Sequence, residues 1–173
     1  ERAVRDSGLK ANLCFGTTAL PGLSGYREYV AYQETEGLRR RLADAADDRI
    51  RVDVGLHAEY TSHEALMRDV ADYARETGLR VHLHLSETQK EHEECKARHN
   101  GLTPAALFEK VGLFDVPATA AHCVWIEGED FDIFRRHGVT VAHNPSSNMK
   151  LGSGYAPVKK MLTSIGRWGF LGT

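Results

Sequence analysis

The sequence predicts an α/β fold made of successive βα units, and three observations carry that expectation. From residue 10 onward, short runs rich in β-branched and aliphatic residues recur at intervals that leave room for a helix between them. The intervening stretches carry helix caps and helically spaced apolar residues. Four histidines fall at the ends of four successive runs, the edge on which parallel α/β folds assemble their sites.

In order, the predicted strands are KANLCF (10–15), IRVDVGL (50–56), RVHLHL (80–85), ATAAHCV (118–124), VTVAH (139–143) and a weaker WGFLGT (168–173). Between them, TSHEALMRDVADYARETG reads as a helix with a capping box from Thr61 to Glu64. It sets Leu66, Val70, Tyr73 and Ala74 on one face and ends at Gly78. Thr88 to Glu91 is a second capping box, and Thr103 before Pro104 is a cap with proline in the first helical turn. A further helix runs from about Glu129 to His137 and stops at Gly138. With no low-complexity linker and no repeat beyond this rhythm, residues 1–173 are expected to form a single domain.

The composition narrows the class of function. A net charge of -2 with interspersed signs gives no basic footprint, so nucleic acid is not an expected partner. The apolar runs fall far short of the roughly 20 residues of a membrane span, and ERAVRDSGLK has no apolar signal core. The expectation is a cytoplasmic protein away from membranes, in which Cys14, Cys95 and Cys123 stay reduced and mostly buried.

Nine histidines are many for 173 residues. His57, His84, His122 and His143 each lie at or just past a different strand end, whereas His63, His92, His99 and His137 fall in or near helices and read as surface residues. In a parallel barrel the strand ends ring one mouth, so the first four would converge. His82 and His84, two apart on a strand, point to one face, and His84 is the nearer to the mouth. Glu87, three residues on, can overhang whatever His84 binds. The alternative leaves both histidines as layered interior residues and Glu87 in a helix N-terminal turn.

HAEYT (57–61), HLHLSET (82–88), AAHCVW (120–125) and above all VAHNPSSNMKLGSGYAPVKKML (141–162) resemble, in order and spacing, the amidohydrolase superfamily. The resemblance is to its aminohydrolase branch, which includes methylthioadenosine/S-adenosylhomocysteine deaminase, guanine deaminase and chlorotriazine hydrolases. It implies a partial (β/α)8 TIM barrel, about strands three to eight, and a metal-dependent hydrolase acting on C–N bonds of a small purine-like or related nitrogen heterocycle. One divalent ion, Zn²⁺ or Fe²⁺, is implied as cofactor. By the resemblance His84 is a metal ligand, Glu87 the general acid/base, and His122 the residue that orients the attacking water. His57, His143 and Asn144 are substrate-contacting, and His82 has no ligand role.

Two parts of the family pattern are expected to be missing: the strand-one His-x-His pair and the Asp that follows Gly-Thr on strand eight, since the chain stops at Thr173. A full barrel typically needs roughly 250 residues. The expectation is therefore a fragment with little or no activity alone, whose open sheet edges favour homo-oligomers. A catalytically incomplete half-barrel, or a hydrolase releasing chloride or opening a ring amide, are the other readings.

Overall fold

The computed structural model describes residues 1–45, 48–165 and 168–170. A short helix, α1 (Arg2–Ser7), precedes β1 (Ala11–Leu13) and β2 (Gly16–Thr17). There follow α2 (Val30–Ala45), β3 (Ile50–Leu56), α3 (Glu64–Thr77), β4 (Arg80–Leu85), α4 (Gln89–Arg98) and α5 (Pro104–Lys110). The remainder is β5 (Ala118–His122), α6 (Asp130–His137), β6 (Thr140–His143), α7 (Pro145–Lys150), α8 (Val158–Ser164) and β7 (Trp168–Phe170).

Every pairing is parallel and the sheet order is β1-β3-β4-β5-β6-β7, with β2 also on β3. This is the curled half of a (β/α)8 barrel, with β1 and β7 as open edges among the described residues. The expected strand at 10–15 is split. Leu13 pairs Val52 and Gly16 pairs Gly55, the same offset, so β1 and β2 are one strand whose ladder lapses at Cys14 and Phe15. The main chain of Phe15 crosses Gly55 so closely that a Cβ there would lie 2.3 Å from the Phe15 carbonyl oxygen. Only glycine permits that approach. The second half of WGFLGT lies outside the described residues.

Strand faces follow the period of two. In β4, Val81, Leu83 and Leu85 are buried toward the helices, and Arg80, His82 and His84 share the opposite, concave face. Leu66, Met67, Val70, Ala71, Tyr73 and Ala74 of α3 cover the convex side. At about 1.5–3 kcal/mol for each large side chain removed from water, this face is what holds α3 on the sheet. Phe108, Phe114 and Phe134 meet edge to face at 6.1 and 5.9 Å under α5 and α6.

One expected cap is corrected and a second is extended. The N-cap of α3 is His63, whose Nδ1 accepts from the Leu66 amide; Thr61 instead serves His57. At α4, Thr88 accepts from the Glu91 amide as expected, but the Glu91 carboxylate reaches past the cap to the amides of Ser86 and Glu87. Gly78 and Gly138 end α3 and α6 in left-handed geometry, as their positions foretold. Of the histidines read as surface residues, His92 is fully buried, and His99 and His137 are half-buried against Glu59 and Glu109. Each has a carboxylate on a neighbouring element, a tertiary partner that its own helix does not reveal. Cys95 and Cys123 are buried, Cys14 is exposed, and all three are free.

Candidate active site

The C-terminal edge of the sheet gathers the histidines of successive strands. The His57 and His84 rings are 5.1 Å apart and nearly perpendicular, and those of His84 and His122 are 5.2 Å apart. Glu87 overhangs the group, with Oε2 3.6 Å from His122 Nε2. His143 ends β6 on the same edge; its Nδ1 is buried without a hydrogen-bond partner among the described residues. Asn144 follows, and its Oδ1 accepts from the His122 amide at 3.3 Å.

Local hydrogen bonds set each ring. The Thr61 hydroxyl lies 3.2 Å from the Ala58 carbonyl and 2.9 Å from His57 Nδ1, so by donating to the carbonyl it can accept from the ring. In that arrangement His57 carries its proton on Nδ1 and leaves Nε2 free to accept. His84 stands between two other imidazoles in a mostly buried position. Burial first, then the fields of His122 and His57, push its pKa down to about 4. It is neutral at pH 7, the form that binds a metal. Burial likewise lowers the pKa of His143.

The turn that carries Glu87 is held with unusual density. Ser86 has φ 47°, a left-handed conformation that non-glycine residues avoid. Its amide donates to Glu91 Oε1 at 3.1 Å, and the Glu87 amide donates to Glu91 Oε2 at 2.9 Å. Its hydroxyl lies 3.0 Å from Nδ1 of His92, whose Nε2 faces Glu127 at 3.2 Å. Its carbonyl accepts from the Val124 and Trp125 amides at 3.1 and 3.0 Å. Those residues follow His122 and Cys123, themselves at φ 70° and 50°. The strand ends bearing Glu87 and His122 are thus tied to each other, and strain concentrated in this way is a mark of functional sites. Ser86, Glu91 and His92 went unrecognised as supports in the sequence, as did Asn148, whose Oδ1 lies 2.8 Å from His122 Nδ1. For Asn148 a signal existed: Pro145 after Asn144 marks a helix start, which puts residues 144 and 148 one turn apart.

The amidohydrolase family description matches residues 2–173. The chain belongs to the amidohydrolase family. This amidohydrolase is 46% identical over 167 residues to a 5-methylthioadenosine/S-adenosylhomocysteine deaminase of Dictyoglomus thermophilum, across 93% of this chain and 37% of the relative. It is 37% identical to a 5'-deoxyadenosine deaminase of Methanothermobacter thermautotrophicus, again across 93% of this chain and 37% of the relative. Among solved structures, an adenosine deaminase from Xanthomonas campestris with bound zinc superimposes with a TM-score of 0.83 at 23% identity, covering 98% of this chain and 38% of that one. The amidohydrolase chain thus spans little more than a third of the length of the curated relatives it matches.

A zinc-bound relative accords with a divalent metal in the family. Here His84 offers an imidazole in the correct protonation state, one donor of the three or four such an ion requires. The single three-residue cluster with metal-capable atoms among the described residues lies elsewhere, at Glu59, Cys95 and His99. That cluster is an ion-pair network: Arg98 donates to Glu59 at 2.5 Å, His99 lies 3.0 Å away, and burial pushes the Cys95 thiol up to about 12.

Proposed function

We propose that this chain supplies the proton-handling side of a metal-dependent deaminase that removes the amino group from the adenine ring of a 5'-modified adenosine. The observation that carries the reading is the convergence of neutral His84, His122 and Glu87 at one sheet edge, with Glu87 against His122. The identity of the adenosine-type relatives favours the substrate class.

His84 would hold the divalent ion through its neutral ring, with further ligands from beyond the described residues. Such an ion, when bound, lowers the pKa of water toward about 7 and so provides hydroxide at neutral pH. The remaining work falls to side chains. Attack at the amino-bearing carbon gives a tetrahedral centre that cannot expel amide ion, so a proton must reach nitrogen. Glu87, overhanging the site on a rigid turn, delivers it from Oε2 after taking it from the attacking water. His122 Nε2, directed at Glu87, orients that water, and His57 and His143, with Asn144, line the space for the heterocycle.

The test is Glu87→Gln in the gene product that contains this sequence, assayed for ammonia release from methylthioadenosine, with metal content measured in parallel. The expected result is a loss of about 10²–10⁴-fold in kcat with metal retained. Retention of most activity would place the acid/base elsewhere.

A further inference from the structure

His122 is gripped from behind by two asparagines on one turn of α7. Asn144 Oδ1 accepts from its main-chain amide at 3.3 Å, and Asn148 Oδ1 sits 2.8 Å from its ring Nδ1. Asn148 is 1% exposed, and its main chain is fixed by the Asn148 amide donating to Asn144 O and the Ser153 amide donating to Asn148 O. The ring it contacts is 6% exposed and hangs from a residue at φ 70°.

An amide oxygen can only accept, so a neutral imidazole facing it must place its proton on Nδ1. We infer that Asn148 is a positioning residue that locks His122 in the Nδ1–H tautomer, leaving the Nε2 lone pair on the side of Glu87, whose Oε2 is 3.6 Å away. The inference rests on the reading of His122 as a water-orienting group, but the tautomer is defined whether or not the chain turns over. Free imidazole side chains favour the opposite tautomer, so the bias must come from a partner such as this one. The competing arrangement rotates the amide to present Nδ2, which has no hydrogen-bond partner among the described residues; it would donate to Nδ1, move the proton to Nε2 and point a donor at the Glu87 carboxylate, so the two arrangements differ in where the His122 proton sits.

Nitrogen NMR of the histidine-labelled, metal-free gene product that contains this sequence, at about pH 8 and above the ordinary imidazole range, reads the proton position directly. The His122 signals are assigned by their loss in His122→Gln. In the parent protein His122 should show a protonated-type Nδ1 and an unprotonated-type Nε2. Asn148→Leu should shift the pair to a mixture or to the Nε2–H form, and Asn148→Asp, whose carboxylate also only accepts, should restore the Nδ1–H form. Should Asn148→Leu fail to fold, the parent and Asn148→Asp spectra still decide the matter. An Nε2–H signal in the parent, or an unchanged Nδ1–H signal in folded Asn148→Leu, would overturn the inference. Either result leaves the Glu87→Gln activity test untouched, so the two readings fail separately.

Discussion

The Ser86 turn allows strain and hydrogen bonding to be measured apart, through Ser86→Ala and Ser86→Gly. Both variants remove the hydroxyl that lies 3.0 Å from His92 Nδ1, and His92 is 2% exposed, so water cannot replace it. An unsatisfied buried acceptor costs about 1–3 kcal/mol, which is the expected loss in Ser86→Ala. Glycine additionally relieves the left-handed φ of 47°, worth about 1–2 kcal/mol, while the greater freedom of its unfolded chain takes back roughly 0.5–1 kcal/mol. Ser86→Gly should therefore be more stable than Ser86→Ala by about 0.5–1 kcal/mol, yet less stable than the parent. For a chain of 173 residues these amounts correspond to a fall in Tm of about 2–12 °C for the alanine variant, of which glycine recovers about 1–4 °C. Urea unfolding followed by circular dichroism gives the same differences in free energy. Alanine as stable as glycine would refute the claim that strain is stored at this turn, and alanine as stable as the parent would refute the hydroxyl–imidazole bond.

His84 titrates near 4 in the folded chain against 6.5 when unfolded, so the unfolded state binds the extra proton first; stability should fall as pH drops from about 6.5 to about 4 and level off below. His84→Gln should flatten that window in a pH series of urea midpoints, and an unchanged slope would assign the titration to another group. Gly55→Ala, whose new Cβ would meet the Phe15 carbonyl at 2.3 Å, should cost at least about 1–3 kcal/mol, read in the same urea assay; parent-like stability would mean that β2 can move away freely. His82, 3.9 Å from Asp53 and deep on the concave face, should be replaceable by alanine with little loss of metal affinity in the metal-binding gene product, whereas a large drop would revive a paired-ligand site. The edges at β1 and β7, open among the described residues, predict self-association of the isolated chain, so sedimentation should give a mass above 19.2 kDa; a monomer at all concentrations would show that the edges are otherwise protected.

Much of the architecture is legible because its signals are local. The runs at 50–56 and 80–85 coincide with β3 and β4, and Gly78 and Gly138 terminate helices through backbone freedom that belongs to the residue itself. The helices α7 and α8 carry weaker local signals, since neither has a side-chain cap hydrogen bond and both are under eight residues long. No helix among the described residues is long and apolar enough to cross a membrane.

By itself the sequence determined the βα order, the four strand-end histidines and the family to which the chain belongs, because strand period, caps and motif spacing are all written over a few residues. Tertiary structure alone decided which groups support them. Ser86 meets His92, His122 meets Asn148 and Glu59 meets Arg98 across separations from six to 39 residues, and these pairings depend on how helices settle on a twisted sheet. Hydrogen bonding in a buried site is specified by distance and direction in three dimensions, which no one-dimensional spacing encodes.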